Sequence, residues 1–246
     1  MQRPPLGLQT IVFGSKYNIE DAAVLDRVKA AGYDALETGA KDPGAFRKML
    51  DARKMRFAGS HVGLRGLLDV KPLIASLKTL GSSDLCNSAL MDWDKRSLAD
   101  YQEGLKVLNR AGKELRAAGI RLHYHNHDFE FLKVDGSKTG MDLLIDGLDP
   151  ECVDLCVDVA WVTKGGLNPV DFLRQHKARV GYLHFKDYNA DGWIELGQGC
   201  VDFAGIMKVL PELTGARGVI CEQDSSRLDP IESVAISRRF LKTLGW

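Results

Sequence analysis

The sequence of 246 residues has no excess of charge of either sign, because 33 Lys and Arg residues balance 33 Asp and Glu residues. Proteins that bind nucleic acids use an excess of Lys and Arg to displace counterions from phosphates. The balance therefore argues against a polyanion as the main partner, and we expect no nucleic-acid partner. Charged residues still make up 27% of the chain and hydrophobic residues 45%, which excludes a disordered chain and is typical of a folded globular protein.

Long apolar runs and paired cysteine motifs are also missing. No run approaches the roughly 18 apolar residues of a membrane helix, and the first six residues contain no apolar segment of the signal-peptide kind. The five cysteines include no CxxC pair, which argues against a disulfide framework and against a structural zinc site. These absences predict a cytoplasmic protein with no membrane partner.

Short apolar runs alternate with amphipathic stretches, and this unit recurs eight times along the chain. Each unit has about 31 residues, close to the size of a βαβ repeat. Predicted strands include Tyr33–Glu37 and Val180–Phe185, and predicted helices include Leu98–Ala118 and Pro230–Leu244. An unbroken series of strand–helix units implies a parallel sheet, and a single (β/α)8 TIM barrel over residues 1–246 fits the length.

The main alternative to the barrel is an open, doubly wound sheet. That fold is disfavoured because no GxGxxG motif follows the first predicted strand and opens a helix. The first predicted strand covers residues 7–13, and the helix after it is predicted to begin at Asn18.

Five of the six histidines lie at or near the ends of predicted strands, where the active site of a TIM barrel is found. These histidines are His61, His123, His125, His127 and His184. The carboxylates Glu37, Asp158 and Glu222 also end predicted strands. Alternation directs residues of one parity toward the barrel axis, and converging imidazoles and carboxylates suit a divalent cation. His123 lies deepest in its strand and is expected to be a core histidine.

Five sequence blocks resemble the sugar phosphate isomerase/epimerase superfamily, whose members are xylose isomerase-like TIM barrels. The blocks are Tyr124–Phe131 (YHNHDFEF), Val157–Val162 (VDVAWV), Leu183–Asp187 (LHFKD), Glu195–Phe203 (ELGQGCVDF) and Cys221–Asp224 (CEQD). Residues 200–203 and 222–224 look closer to the inosose dehydratase-like branch than to the ketose epimerases. The resemblance implies a barrel enzyme that acts on a small sugar and holds one divalent metal ion.

The resemblance also implies which residues bind the metal. The family's ligands on strands six, seven and eight match Asp158, His184 and Glu222. The strand-five ligand is usually a Glu, but His125 stands at that position, and Glu130 in the following loop is the alternative ligand. Mn²⁺ is the favoured ion, with Co²⁺, Mg²⁺ and Zn²⁺ as alternatives.

Further residues are assigned to the substrate and to the chemistry. The resemblance implies that His127 and Lys186 face the substrate, and they are predicted to be catalytic together with Glu222. Glu37 and His61, at the ends of predicted strands two and three, are predicted to bind the substrate. The predicted mouth of the barrel is lined by Glu37, His61, His125, His127, Asp158, His184, Lys186 and Glu222.

The reaction shared by the family is proton abstraction next to a carbonyl through a metal-stabilised enediolate. We predict an isomerase or epimerase, with a lyase of the inosose dehydratase or 3-keto-glycoside-eliminating type as the alternative. The missing strand-five Glu argues against a symmetric mechanism that uses two glutamates.

Two further functions stay open beside these enzymes. A DNA-repair phosphodiesterase is disfavoured by the zero net charge, whereas a non-catalytic sugar-binding subunit and a homo-oligomer are not decided by the sequence.

Overall fold

The computed structural model describes residues 3–246; Met1 and Gln2, the first two residues of the predicted 1–246 domain, lie outside the described residues. Parallel strands from this part of the chain close into a barrel in which each strand pairs with its neighbours in the sequence, and the last pairs with the first. The barrel strands are β1 (Leu6–Gln9), β2 (Ala35–Glu37), β3 (Arg56–Gly63), β4 (Asp84–Ser88), β5 (Arg121–His125), β6 (Val153–Asp158), β7 (Val180–Phe185) and β8 (Gly218–Cys221). The predicted (β/α)8 barrel is therefore confirmed.

Helices follow the strands in the order that a TIM barrel requires. They are α1 (Ala22–Ala31), α2 (Pro43–Ala52), α3 (Lys71–Leu80), α4 (Leu98–Ala117), α5 (Gly140–Gly147), α6 (Val159–Lys164), α7 (Pro169–Gln175), α8 (Phe203–Val209) and α9 (Pro230–Thr243). Short 3₁₀ helices cover Ile11–Phe13, Leu64–Leu68, Phe129–Phe131 and Leu210–Glu212. Within residues 3–246, no helix is both long enough and apolar enough to cross a membrane.

The first predicted strand is too long, and the first helix begins later than predicted. The side-chain oxygen of Gln9 accepts a hydrogen bond from the N–H of Ile11, and the chain turns into a 3₁₀ helix there. The carboxylate of Asp21, and not Asn18, caps α1 by accepting from the N–H of Ala23, 2.8 Å away.

Two small antiparallel hairpins extend from the barrel. One pairs Lys133–Asp135 with Lys138–Thr139 in the loop after β5. The other pairs Asp187–Asn189 with Gly192–Ile194 directly after β7, and it places Trp193 next to Trp161 of α6, with their ring centroids 4.6 Å apart.

Alternation along the strands separates the interior of the barrel from the layer under the helices. Leu85, Leu122 and Leu155 belong to the main hydrophobic core. Cys86 and Cys156, which follow Leu85 and Leu155, instead form a separate small cluster with Tyr182 and Ile220. His123 is a core histidine as predicted: Nε2 lies 2.9 Å from Oδ1 of Asp84, and the ring stacks on Tyr182.

Candidate active site

Four side chains that can donate a ligand atom to a metal ion, called the four donors below, converge inside the barrel at the C-terminal ends of consecutive strands. His125 ends β5, Asp158 ends β6, His184 lies near the end of β7, and Glu222 follows β8. One ligand atom from each residue lies within 4.8 Å of the ligand atoms of the other three. Nε2 of His125 is 3.4 Å from Oδ2 of Asp158 and 3.7 Å from Oε2 of Glu222. Nδ1 of His184 contacts the same Glu222 oxygen.

The backbone around Asp158 explains why its carboxylate faces this group. Oδ1 of Asp158 caps helix α6 by accepting from the N–H groups of Ala160 and Trp161, at 2.9 and 3.0 Å. The N–H of Asp158 donates to the side chain of Asn126, 3.0 Å away. These bonds fix the carboxylate and leave Oδ2 directed toward His125.

The four residues fit a divalent metal ion. Both ring nitrogens of His125 are buried and have no hydrogen-bond partner within residues 3–246, and the buried Oδ2 of Asp158 has an ion pair with Lys186 at 3.2 Å but no hydrogen bond. Buried polar atoms are normally hydrogen-bonded. Metal-ligating atoms that face one another without such bonds therefore indicate an ion held between them. Two carboxylates and two neutral imidazoles balance the charge of a divalent ion, and this donor set suits Mn²⁺, Co²⁺ or Zn²⁺.

Glu130 lies outside the converging group. Its two carboxylate oxygens accept hydrogen bonds from the hydroxyl of Tyr124, at 2.8 Å, and from the N–H of His127, at 2.6 Å. Burial raises the pKa of Glu130 to about 7, although these two hydrogen bonds oppose the shift. The geometry thus places His125, and not Glu130, among the donors.

Lys186 provides a buried positive charge beside these donors. Its Nζ lies 3.2 Å from Oδ2 of Asp158, 2.7 Å from Oε1 of Glu222 and 2.8 Å from Oδ1 of Asp224. Burial lowers the pKa of Lys186, but the three carboxylates outweigh burial and raise it above the ordinary value. The side chain is therefore an ammonium group at neutral pH.

Asp224 was not predicted to be a site residue. Burial raises the pKa of its carboxyl to about 6, with Lys186 acting in the opposite direction. The one sequence signal for Asp224 is its spacing of two residues from Glu222, which places both side chains on one side of the backbone.

Glu37 and His61 lie on the other side of His184. Glu37 is fully buried; Oε1 is 3.3 Å from Nδ1 of His61, and Oε2 is 3.3 Å from Nε2 of His184. Burial raises the pKa of Glu37, but the two histidines outweigh it and hold the pKa below its usual range. Glu37 is therefore a carboxylate that orients both imidazoles.

A cavity of about 380 Å³ opens above the four donors. Of the eight residues predicted at the mouth, His61, His125, His127 and Glu222 line this cavity. The other four, Glu37, Asp158, His184 and Lys186, lie behind the lining, and their side chains are 0% exposed. Trp93, Trp161 and Asp224 also line the cavity.

His127 lies in an aromatic part of the cavity wall. Its ring stacks on Phe129 at 5.0 Å and meets the rings of Trp93 and Trp161 edge-on at 4.8 and 5.2 Å. Burial, together with the positive charges of His125 and Lys186, lowers the pKa of His127 to about 2. His127 is therefore a neutral imidazole at pH 7. No sequence signal predicted that Trp93 would lie here, because its loop position follows no period.

Comparisons with known proteins match this architecture over nearly the whole chain. A family model described as xylose isomerase-like TIM barrel matches residues 25–244. An inosose dehydratase from Geobacillus kaustophilus (strain HTA426) is 25% identical over 270 residues, a match that covers 90% of this chain and 86% of the relative.

Solved structures share the fold. A sugar phosphate isomerase/epimerase from Parabacteroides distasonis ATCC 8503 has a TM-score of 0.82 at 24% identity, covering 98% of this chain and 94% of that one. The IolI protein, solved with a zinc atom bound, has a TM-score of 0.78 at 14% identity, covering 98% of this chain and 97% of that one.

Proposed function

The chain belongs to the xylose isomerase-like TIM barrel family, and from that membership we propose that it is a metal-dependent dehydratase of an unphosphorylated keto-sugar or keto-polyol. The observation that supports this reaction best is the pair of unlike groups at the cavity. The neutral imidazole of His127 lines the cavity, and the ammonium group of Lys186 lies behind the wall, 2.8 Å from Asp224, which lines the cavity as well.

The metal would be held by His125, Asp158, His184 and Glu222, with Mn²⁺ as the favoured ion. When bound, a divalent ion supplies a Lewis acid that polarises a carbonyl and makes the neighbouring C–H group more acidic. Glu37 keeps the imidazole of His184 oriented from the opposite side of the ring, at 3.3 Å.

His127 acts as the general base. It takes the proton from the carbon next to the carbonyl, because its imidazole is neutral and lines the cavity. The β-hydroxyl then leaves with a proton that Lys186 supplies through Asp224, which lines the cavity, so that a C–H and a C–O bond break, a C=C bond forms, and water is released. Solvent then takes the proton from His127 and returns one to Lys186 through Asp224, 2.8 Å from Nζ of the lysine. Oε1 of Glu222 lies 2.7 Å from Nζ of Lys186, and this ion pair holds the ammonium group in place.

The charges around the cavity favour a substrate without a phosphate group. Within residues 3–246, the cavity lining contains Glu222 and Asp224 but no Lys or Arg. The cations next to the cavity-lining tryptophans have other partners: Lys164 pairs with Asp128, Arg65 pairs with Asp92, and Arg96 lies over the ring of Phe129. A phosphate monoester would meet carboxylates here with no free cation to balance them.

Aromatic rings supply the remaining contact surface. Trp93 and Trp161 line the cavity, and Trp193 packs against Trp161 from the hairpin after β7. Aromatic faces suit the C–H faces of a sugar or cyclic polyol, and His61 adds a hydrogen-bonding group because it lines the same cavity. We therefore assign substrate binding to His61 and the tryptophans, with Glu37 orienting His61 from behind.

An isomerase or epimerase is the second candidate, and one observation favours it. Asp224 adds a cavity carboxyl with a pKa near 6 beside Glu222, and such a group can return the abstracted proton to a neighbouring carbon or to the other face. In that reaction the substrate keeps its hydroxyl groups.

The reaction is tested by NMR of a keto-inositol and of a ketohexose, each incubated with enzyme and Mn²⁺ in D₂O. Loss of water supports the dehydratase. Deuterium incorporation without loss of water supports the isomerase or epimerase instead, and an unchanged spectrum for both compounds contradicts both proposals. We expect His127→Ala to slow turnover by about 10²- to 10⁴-fold. The control is His176→Ala, which replaces a histidine at the end of α7 and should keep wild-type turnover. The phosphate ester of the same ketose serves as the negative control.

A further inference from the structure

The barrel interior below the candidate metal centre contains two cysteines that the proposed reaction does not use. Cys86 lies on β4 and Cys156 on β6, and both side chains are almost fully buried. They share a small cluster with Tyr182 and Ile220. The two sulfur atoms and a ring nitrogen of His184 lie within 4.8 Å of one another.

These three donors differ in chemistry from the four above them. Thiolates are soft ligands that select Zn²⁺ and similar ions, whereas carboxylates favour harder ions such as Mg²⁺ and Mn²⁺. Two thiolates and one imidazole form a Cys₂His set, which binds zinc while leaving one coordination position free. Two thiolates also neutralise a divalent ion, which removes most of the cost of burying its charge.

The spacing of the donors suits a single ion. Zinc binds sulfur at about 2.3 Å and imidazole nitrogen at about 2.0–2.1 Å, so tetrahedral ligands lie about 3.5–4 Å from one another. Because the three atoms already lie within 4.8 Å, side-chain shifts of about 1 Å or less bring them to bonding distance.

We propose that Cys86, Cys156 and His184 form a second metal site, specific for a thiophilic divalent ion such as Zn²⁺ or Cd²⁺. On binding, both thiols release their protons to solvent and the two thiolates and the neutral imidazole coordinate the ion. The site does not depend on the proposed reaction. Because both sites use His184, ions in the two sites would share one imidazole and repel each other, so a thiophilic ion in the lower site weakens binding in the upper one.

Cobalt spectroscopy tests the site without any substrate. Co²⁺ is titrated into the 246-residue protein in the presence of a phosphine reductant, and the near-ultraviolet sulfur-to-cobalt charge-transfer band is recorded. We expect the band in the wild type and its loss in Cys86→Ala and in Cys156→Ala. Cys86→Ser and Cys156→Ser repeat the test with side chains of closer size, and circular dichroism verifies that each variant is folded.

Matched variants separate this site from other thiols and from the upper site. Cys152 is a buried cysteine outside the group, and Cys200 is an exposed one. Cys152→Ala and Cys200→Ala should therefore both keep the band. His125→Ala should keep it as well, because His125 belongs only to the upper group.

A competition experiment measures the coupling between the two metal sites through His184. Cd²⁺ added to Mn²⁺-loaded protein should release Mn²⁺, measured as free Mn²⁺ by electron paramagnetic resonance, at lower Cd²⁺ concentrations in the wild type than in Cys156→Ala. The proposal is overturned if the wild type shows no charge-transfer band at saturating Co²⁺, or if the band persists in both folded cysteine variants. Failure of the proposed function has a different signature, which is the absence of Mn²⁺ binding by the wild type.

Discussion

At the scale of single residues, the decisive difference is between His125 and Glu130. Both lie in the YHNHDFEF block, and the residue pattern left both open as metal ligands. The folded chain separates them, because Glu130 accepts two hydrogen bonds inside the β5 loop while the nitrogens of His125 have no hydrogen-bond partner within residues 3–246. The position of a loop side chain depends on contacts across the loop, and the sequence alone does not determine them.

Glu130→Ala should destabilise the protein and leave metal binding intact. Removing the carboxylate leaves the hydroxyl of Tyr124 and the N–H of His127 buried without an acceptor, which costs about 1–3 kcal/mol of unfolding free energy. Denaturation in urea measures that loss, and metal analysis measures Mn²⁺ content. His125→Ala should behave in the opposite way, with stability retained and Mn²⁺ lost. Mn²⁺ bound by His125→Ala but not by Glu130→Ala would contradict the assignment.

The pH dependence of metal binding follows from the two histidines of the site. Burial lowers the pKa of His125, but Asp158 and Glu222 outweigh burial and raise it; burial likewise opposes protonation of His184, whose carboxylate neighbours and Cys156 raise its pKa well above the ordinary value. A protonated imidazole cannot bind a metal ion, so Mn²⁺ affinity should fall as the pH falls. The midpoint should lie above the ordinary histidine value of about 6.5.

Isothermal titration of Mn²⁺ at a series of pH values measures this dependence. Because two imidazoles lose protons on binding, the slope of log affinity against pH should exceed that of a single titrating group. Equal affinity at about pH 5 and pH 8 would rule out imidazole ligands.

At the scale of elements, strands were predicted more accurately than the segments between them. Strand Val180–Phe185 begins and ends as predicted, and the strand predicted over Tyr33–Glu37 forms over Ala35–Glu37. Helix α6 was not predicted, since its six residues are too few to show a helical period. It begins because Asp158 caps it, so the residue pattern that indicates a metal ligand also sets the start of a helix.

The loop after β7 is organised by one carboxylate. Asp187 is buried, and its oxygens accept hydrogen bonds from the N–H groups of Tyr188, Gly197, Gly199 and Val201 at 2.9–3.2 Å. Gly199 is required here because a Cβ atom would collide with the Asp187 carboxylate and with the carbonyl of Tyr188. The LHFKD and ELGQG blocks thus belong to one structural unit, which supports the hairpin that bears Trp193.

Asp187→Ala should reduce stability by about 1–3 kcal/mol, because several N–H groups lose their acceptor. Asp191→Ala is the matched control, since its exposed side chain lies on the same hairpin turn and its replacement should change the unfolding free energy by less than about 0.5 kcal/mol. Urea denaturation of both variants provides the comparison. Equal stability of the two would show that the carboxylate does not organise the loop.

At the scale of the whole molecule, closure of the barrel brings together residues from positions 37 to 222. The eightfold repeat and the family resemblance predicted this fold and the xylose isomerase-like family, and both predictions are confirmed. Which strand-end residues line the cavity was not predictable, because the cavity depends on how far each side chain extends past the barrel end. Lys186 and Glu37 are behind the wall for this reason.

Metal binding should stabilise the entire barrel, because the ion binds only the folded arrangement of four strands. At a Mn²⁺ concentration about 100 times the dissociation constant, linkage predicts about 2.7 kcal/mol of added stability. Thermal unfolding with and without Mn²⁺ measures the shift, which should be present in His176→Ala and absent in His125→Ala. An equal shift in His125→Ala would place the ion elsewhere.

The most direct test of the account is the Mn²⁺ stoichiometry of the purified wild type, Asp158→Asn and His184→Ala, measured by electron paramagnetic resonance titration. Asparagine also caps helices, so Asp158→Asn retains the start of α6 while replacing the carboxylate that faces His125. We predict about one tightly bound Mn²⁺ per wild-type chain and none in either folded variant, as expected for a single site with four protein ligands. Unchanged Mn²⁺ binding in either variant would contradict the assignment of these residues as the metal ligands.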